Sequence, residues 1–236
     1  FLTNKEWLLR GEAKEKRFRP FHSVEGEVFV SGDYESATDN LSLSVTERIL
    51  SRILARCRYV PGTMRAYALR SLRATIEYPG GRVVVQQRGQ LMGNFLSFPL
   101  LCIQNYLAFK HYVPRCVPVR INGDDIVFRC LPTEWTVWRE GVVNAGLTLS
   151  KGKTLVSRRF FSLNSAFFES QRARAPRPVP VLRASMLSPS EGLPSGDSFL
   201  KFQRGWKNDA RRVAGGLWLA SHRPKILASG RSVVEG

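Results

Sequence analysis

The chain is poor in the residues that hold structural zinc. It has three His and four Cys in 236 residues. Cys57, Cys102, Cys116 and Cys130 form no CxxC pair and keep no histidine-rich company. Structural zinc needs four convergent ligands at short paired spacings, so no zinc is expected. The four read instead as buried thiols in a reducing compartment. Acidic residues are scarce too: 19 Asp and Glu stand against 36 Lys and Arg, a formal net charge of +17. Such a field attracts polyanions, of which nucleic acid is the usual one, and such binding is salt-sensitive. Charge alone names a partner class but no reaction. Long apolar runs are missing, because Arg or Lys interrupts each candidate, so no membrane span is expected. No signal peptide is visible. The chain opens on Phe1 rather than Met, as a fragment or processed piece would.

What is present suffices for a core. The chain is 43% hydrophobic and 11% aromatic, which fits one large domain or one domain with an appendage rather than a disordered tail. Phe1 to Glu27 are polar and basic around KEKRFRPF. Val28-Phe29-Val30 then begins a short buried strand that ends in Ser31-Gly32-Asp33, placing a carboxylate at its carboxyl end. After a polar turn from Tyr34 to Asn40, the apolar residues of Leu41–Arg58 recur at helical spacing, with Arg48, Arg52 and Arg56 on the polar side. Thr63–Leu72 reads as a second helix. Ala74–Tyr78 and Arg82–Gln87 flank Pro79-Gly80-Gly81 as strand, turn and strand. Phe95–Tyr112 is a long apolar segment read as a buried helix. Val117–Ile121 and Ile126–Cys130 are strands joined by Asn122-Gly123-Asp124-Asp125, where Asn-Gly is a strong hairpin signal because both residues tolerate positive φ. Thr133–Ala145 reads as a helix stopped by Gly146. Leu147–Val156 and Phe160–Phe168 look extended. RARAPRPVPV, beyond Gln171, reads as a linker or arm, and the remainder carries a weaker helical signal. Strands and helices mix without regular parallel alternation, so the fold class is α+β.

The hairpin carries the first chemical signal. Two adjacent carboxylates, Asp124 and Asp125, disfavour joint ionisation unless a cation sits beside them, and hard cations such as Mg²⁺ take carboxylate oxygens. An ordinary solvated turn uses the same residue types, so this pair alone weighs about evenly between the two readings. Asp33 shifts the balance. It ends a separate strand, and two-metal phosphoryl chemistry needs carboxylates from at least two segments. Asp39, farther along the same turn, could cap the following helix. Between these segments, Gly89, Gln90, Gly93 and Asn94 precede a helix, where glycines let a backbone approach a ligand closely. Ser97 could bond a sugar or simply open the helix.

Together, SGDYESATDNL, GQLMGNFLSFPLLCIQN and INGDDIVFR resemble motifs A, B and C of viral RNA-dependent RNA polymerases, in the proper order. The likeness is greatest to the ourmia-like (botourmiavirus) group related to narnaviruses, mitoviruses and RNA phages. GLTLSKGKT and FFSLNSAFFE resemble motifs D and E, so the match runs from about Glu25 to Glu169. The resemblance implies a right-hand polymerase palm, an antiparallel sheet with the GDD hairpin packed on helices, with partial fingers and thumb. The implied division is the end of the fingers or a linker over 1–26, the palm over 27–169, and a basic linker with partial thumb over 170–236.

Asp33 and Asp124 would be the principal ligands of two Mg²⁺ ions, Mn²⁺ being able to substitute, with Asp125 assisting. Asp39 would sit near the ribose 2′-hydroxyl, the group that separates RNA from DNA. Gly93 and Ser97 match the motif B glycine and Ser/Thr. Leu101 stands where many relatives carry Asn, which leaves Asn94 and Asn105 as candidates for sugar selection. Lys153 matches the motif D lysine that protonates pyrophosphate. Lys151, two residues away, would share its face on a strand. Gly89, Gln90, Lys151, Arg17 and Arg19 are candidate RNA contacts. The implied partners are template and product RNA and NTPs, the implied setting the host cytoplasm, or the mitochondrion if the chain lies closer to mitoviruses. Two other readings stand beside this one: a basic RNA-binding module without activity, and a reverse transcriptase palm. The GDD sequence and Asp39 disfavour the latter.

Overall fold

Every residue of Val28–Gly32 is buried, which a strand achieves only inside a sheet covered on both faces. In the computed structural model this strand, β1, lies inside a four-stranded antiparallel sheet. Residues 2–172, 174–182, 184–188 and 194–230 are described. They fall into two compact units, Phe1–Arg177 and Pro178–Gly236.

In the first unit, α1 (Ala37–Asn40) and α2 (Leu43–Arg56) follow β1, then α3 (Gly62–Arg70) and the hairpin β2 (Thr75–Glu77) and β3 (Val83–Val85). Helix α4 (Ser97–Tyr112) leads to β4 (Val119–Asn122), β5 (Asp125–Cys130) and α5 (Pro132–Gly141). Strands β6 (Leu155–Ser157), β7 (Phe160–Leu163) and β8 (Ala166–Glu169) complete the unit. The main sheet has the order β4-β5-β1-β6. Alternation sorts its side chains between two cores. Val28, Val30, Ile126 and Phe128 join Leu101, Phe109 and Trp138 in one. Phe29 and Val127 join Leu9, Phe18, Phe21, Phe161 and Phe168 in the other. The amino-terminal segment contributes to both faces and also continues the sheet edge. Leu8 bridges Ile121 in parallel, and Leu9 N–H donates to the Ile121 carbonyl at 2.8 Å.

A chain of ion pairs fixes the end of the sheet far from the carboxylates. Glu27, buried, pairs with Arg115 at 2.6 Å and with Arg129. Arg115 also grips Glu134 at 2.8 Å, and its guanidinium holds the Glu134 carboxyl below the ordinary range. In the second unit, α6 (Gly196–Phe202) and α7 (Asn208–Ser229) pack around Phe202, Ala214 and Trp218.

Most expected elements are present with their ends moved by a few residues, and four readings are corrected. Within the stretch read as a linker or arm, Arg177–Val179 is a short strand. The polar turn after β1 contains the single helical turn α1. Residues 151–153 form a turn, with Gly152 at φ +77, rather than part of a strand. The thiols are not uniformly buried. Cys102 and Cys130 are, but Cys57 is partly exposed, and Cys116, in the loop before β4, is exposed. Among the described residues no helix is long and apolar enough to cross a membrane.

Candidate active site

Strand pairing brings two carboxylate segments together. In the β1–β5 ladder Gly32 pairs with Ile126, and one further step sets Asp33 across from Asp125. Gly32 suits this crowded strand end, since a Cβ there would lie 3.0 Å from both Ile126 and the Trp138 ring. The Asp33 carbonyl accepts from Ser150 N–H at 2.8 Å, which holds the strand end in place. On the other side, Asn122 pairs with Asp125, so the hairpin loop is Gly123-Asp124, one residue later than the Asn-Gly signal suggests. Only Gly123 has positive φ, +65. Glycine at the first central position is the requirement of a type II′ turn. The shift matters because it puts Asp124 at the apex and Asp125 at the first position of β5.

The charges respond to one another. Burial, then Asp124, then Asp33 push the Asp125 carboxyl up to about 6, against a hydrogen bond from Asn164 N–H that favours ionisation. That bond, 3.2 Å to Oδ2, comes from the β7–β8 turn. Asp33 Oδ2 is buried and has no hydrogen bond. It lies 3.5 Å from Lys153 Nζ, a charge contact rather than a hydrogen bond. Among the described residues no three His, Cys, Asp or Glu side chains form a ready metal cage. Mg²⁺ does not require one, since it commonly takes one or two carboxylates and completes its shell with water and substrate phosphates. The Asp33 oxygen without a hydrogen bond and the mutual repulsion at Asp125 are what a hard cation would relieve. The residues present therefore fit such an ion.

The other expected site residues divide by exposure. Asp39, Lys151, Arg17, Arg19 and Gly93 are exposed, and a Cβ on Gly93 would meet open space. The turn at 151–153 removes the argument that Lys151 and Lys153 share a strand face, and the charge contact to Asp33 belongs to Lys153. Gly89 and Gln90 are structural in this geometry. Gly89 has φ +76, and a Cβ would lie 2.8 Å from the Thr38 and Asp39 carbonyls. Gln90 is buried; its N–H bonds the Thr38 carbonyl at 2.7 Å and its amide donates to Thr46 at 3.1 Å. Ser97 is buried with its hydroxyl on the Leu91 carbonyl at 2.6 Å. Asn94 ties the loop to Ser71 at 2.8 Å and accepts from Leu96 N–H at 2.9 Å.

Asn105 is fully buried. Its Nδ2 donates to the Gly123 carbonyl at 3.2 Å, and its Oδ1 accepts from Tyr34 Oη at 2.9 Å. It serves the hairpin loop rather than standing open to a sugar. Sequence reasoning missed Tyr34 and Cys102, both of which face this loop. The usable signal was that Cys102 and Asn105 stand three apart on one helix, hence on one face.

No family model matches the chain. Over 181 residues the sequence is 38% identical to the RNA-dependent RNA polymerase of Ourmia melon virus (isolate Melon/Iran/VE9), covering 67% of this chain. The chain is akin to the ourmia-like viral RNA polymerases. It spans about a fifth of that relative's length, 21%. Its fold matches the crystal structure of the RNA-dependent RNA polymerase of a human picorbirnavirus, with TM-score 0.66 and 10% identity. That match covers 94% of this chain and 46% of the other. An insertion loop deletion mutant of a human picorbirnavirus polymerase gives TM-score 0.56 at 10% identity, covering 89% of this chain and 43% of that one. At such identity the likeness shows the mixed helix and antiparallel-sheet fold alone.

Proposed function

We propose that this chain carries the catalytic floor of an RNA-dependent RNA polymerase, which joins an NTP to an RNA 3′ end and releases pyrophosphate. The observation that carries the reading is the β1–β5 register, which sets Asp33 beside the Asp124-Asp125 turn. Asp33 and Asp124 would hold two Mg²⁺ ions, or Mn²⁺, with Asp125 assisting. When bound, such ions activate the attacking 3′-hydroxyl and stabilise the leaving pyrophosphate.

The chain's own residues supply positioning and proton transfer, which carry much of phosphoryl-transfer catalysis alongside the charge of the metals. Lys153, exposed and beside Asp33, would give a proton to pyrophosphate. Asp39 is free to meet the ribose 2′-hydroxyl, and Gly93 leaves room for a sugar–phosphate backbone. Gly89, Gln90, Asn94 and Ser97 shape that loop from within. RNA contact falls to the exposed Lys151, Arg17 and Arg19, supported by the net charge of +17.

In this reading 27–169 is the palm, 1–26 the end of the fingers, and 170–236 a basic linker with part of the thumb. The setting is the host cytoplasm, with the mitochondrion as the alternative that the mitovirus likeness carries. A primer-extension assay with Mg²⁺ tests the activity, comparing the chain with Asp124→Asn. Incorporation abolished by the substitution supports the reading, and incorporation that survives it sinks the metal assignment. RNA binding without incorporation by the unsubstituted chain favours a binding module.

A further inference from the structure

One face of α4 is built around the carboxylate turn. Phe98, Leu101, Cys102 and Asn105 fall at i, i+3, i+4 and i+7, which is a single helical stripe. The first three meet Gly123 directly. A Cβ on that glycine would lie 3.2 Å from the Phe98 ring and 3.9 Å from Leu101, while Gly123 N–H donates to Cys102 Sγ at 3.2 Å. Asn105 takes the other end of the same residue, donating to the Gly123 carbonyl at 3.2 Å. Its Nδ2 also lies 3.5 Å from the Asp124 carbonyl. Both polar groups of the Gly123 backbone are thus bound by α4 side chains. Tyr34, the residue after Asp33, closes the circuit by donating to Asn105 Oδ1 at 2.9 Å. Tyr34, Cys102 and Asn105 are all buried.

We propose that Tyr34 and Asn105 are positioning residues that fix the Asp124 carboxylate relative to Asp33. This rests on the metal reading above. An Asn side chain is suited to the task because it accepts from one motif and donates to another through one rigid plane. Asn105 touches backbone only at the turn, so it sets where Asp124 projects without contacting a substrate. Both sides of its amide are already engaged, one turn deeper along α4 than Leu101. Groups that orient ligands in this way are commonly worth about 10- to 100-fold in metal affinity or activity.

The experiment uses the full chain and Mn²⁺ alone, with free ion followed by electron paramagnetic resonance and folding by thermal melting. Tyr34→Phe removes one oxygen, and Asn105→Leu removes the amide at nearly constant volume. Each is expected to weaken Mn²⁺ binding about 10-fold while the chain stays folded. The double variant removes both partners of the Tyr34–Asn105 bond, which restores part of the melting temperature lost by Asn105→Leu. It is not expected to restore Mn²⁺ affinity, because the Gly123 carbonyl still lacks its donor. A purely structural role predicts that affinity and melting temperature recover together, which would overturn the proposal. So would melting changes with Mn²⁺ affinity within 2-fold of the unsubstituted chain. Asp124→Asn separates the two levels. If it leaves Mn²⁺ binding intact, the metal reading itself is lost, and this inference with it.

Discussion

Replacing Asp125 by Asn removes a carboxylate that folding places against two others, and its effect can be worked out before any catalysis is measured. An ordinary aspartate titrates near 3.8, and the folded environment pushes this one up to about 6. The folded state therefore binds the proton more tightly than the unfolded chain. In linkage terms, the stability penalty is absent below about pH 4, grows as pH rises toward 6, and is complete above it. At about 1.36 kcal/mol per pH unit, the full penalty is about 3 kcal/mol, an upper figure because Asp125 is only partly buried. Asn keeps an oxygen to accept the Asn164 N–H and carries no charge. Urea unfolding in EDTA should find Asp125→Asn more stable than the unsubstituted chain by about 1–3 kcal/mol at pH 8, and within about 0.5 kcal/mol at pH 4. Adding Mg²⁺ should narrow the gap at pH 8 by stabilising the chain that keeps the charge more than the variant. Equal stabilities at pH 8, or a gap independent of pH, would refute the idea that folding forces these carboxylates together.

Gly89→Ala should destabilise by about 3 kcal/mol in urea unfolding, since its positive φ and the 2.8 Å approach to two carbonyls leave no room. Gly93→Ala, facing open space, should stay within about 0.5 kcal/mol on the same measurement. Lys153→Gln should change stability by no more than about 0.5 kcal/mol, as an exposed contact would. The same change should slow single-nucleotide incorporation about 100-fold in rapid-quench assays, whereas Lys151→Gln should leave the rate near normal. Arg115→Met should lower stability at pH 7 by about 2 kcal/mol by breaking the contacts to Glu27 and Glu134. Because Arg115 holds Glu134 below its ordinary range, that contribution is present above about pH 4.5 and fades as pH falls further. The deficit should therefore shrink in acid unfolding curves.

The elements that carry the proposed chemistry were legible because their signals are local. The run Val28-Phe29-Val30 announced a buried strand, and Asn122-Gly123 announced a hairpin. What local pattern did not give was placement by neighbours. The hairpin loop sits one residue later than Asn-Gly suggests because the β4–β5 register pairs Asn122 with Asp125. Lys151 and Lys153 sat in a segment read as extended. Gly152 at positive φ turns it instead, which brings Lys153 to Asp33. Asn105 was a sugar-selection candidate by analogy, and its real surroundings follow from which face of α4 meets the turn. Phe1 to Glu27 read as polar and basic, yet Leu9, Phe18 and Phe21 are buried beneath the sheet. Three apolar residues spread over thirteen positions form no periodic pattern to detect.

The central claim is that Asp33 and Asp124 share metal ions. Crystals soaked in MnCl₂ and measured at the manganese absorption edge test it directly. The account predicts anomalous density between the Asp33 and Asp124 carboxylates, lost in crystals of Asp33→Asn. Manganese bound elsewhere, with no density between these two side chains, would contradict it.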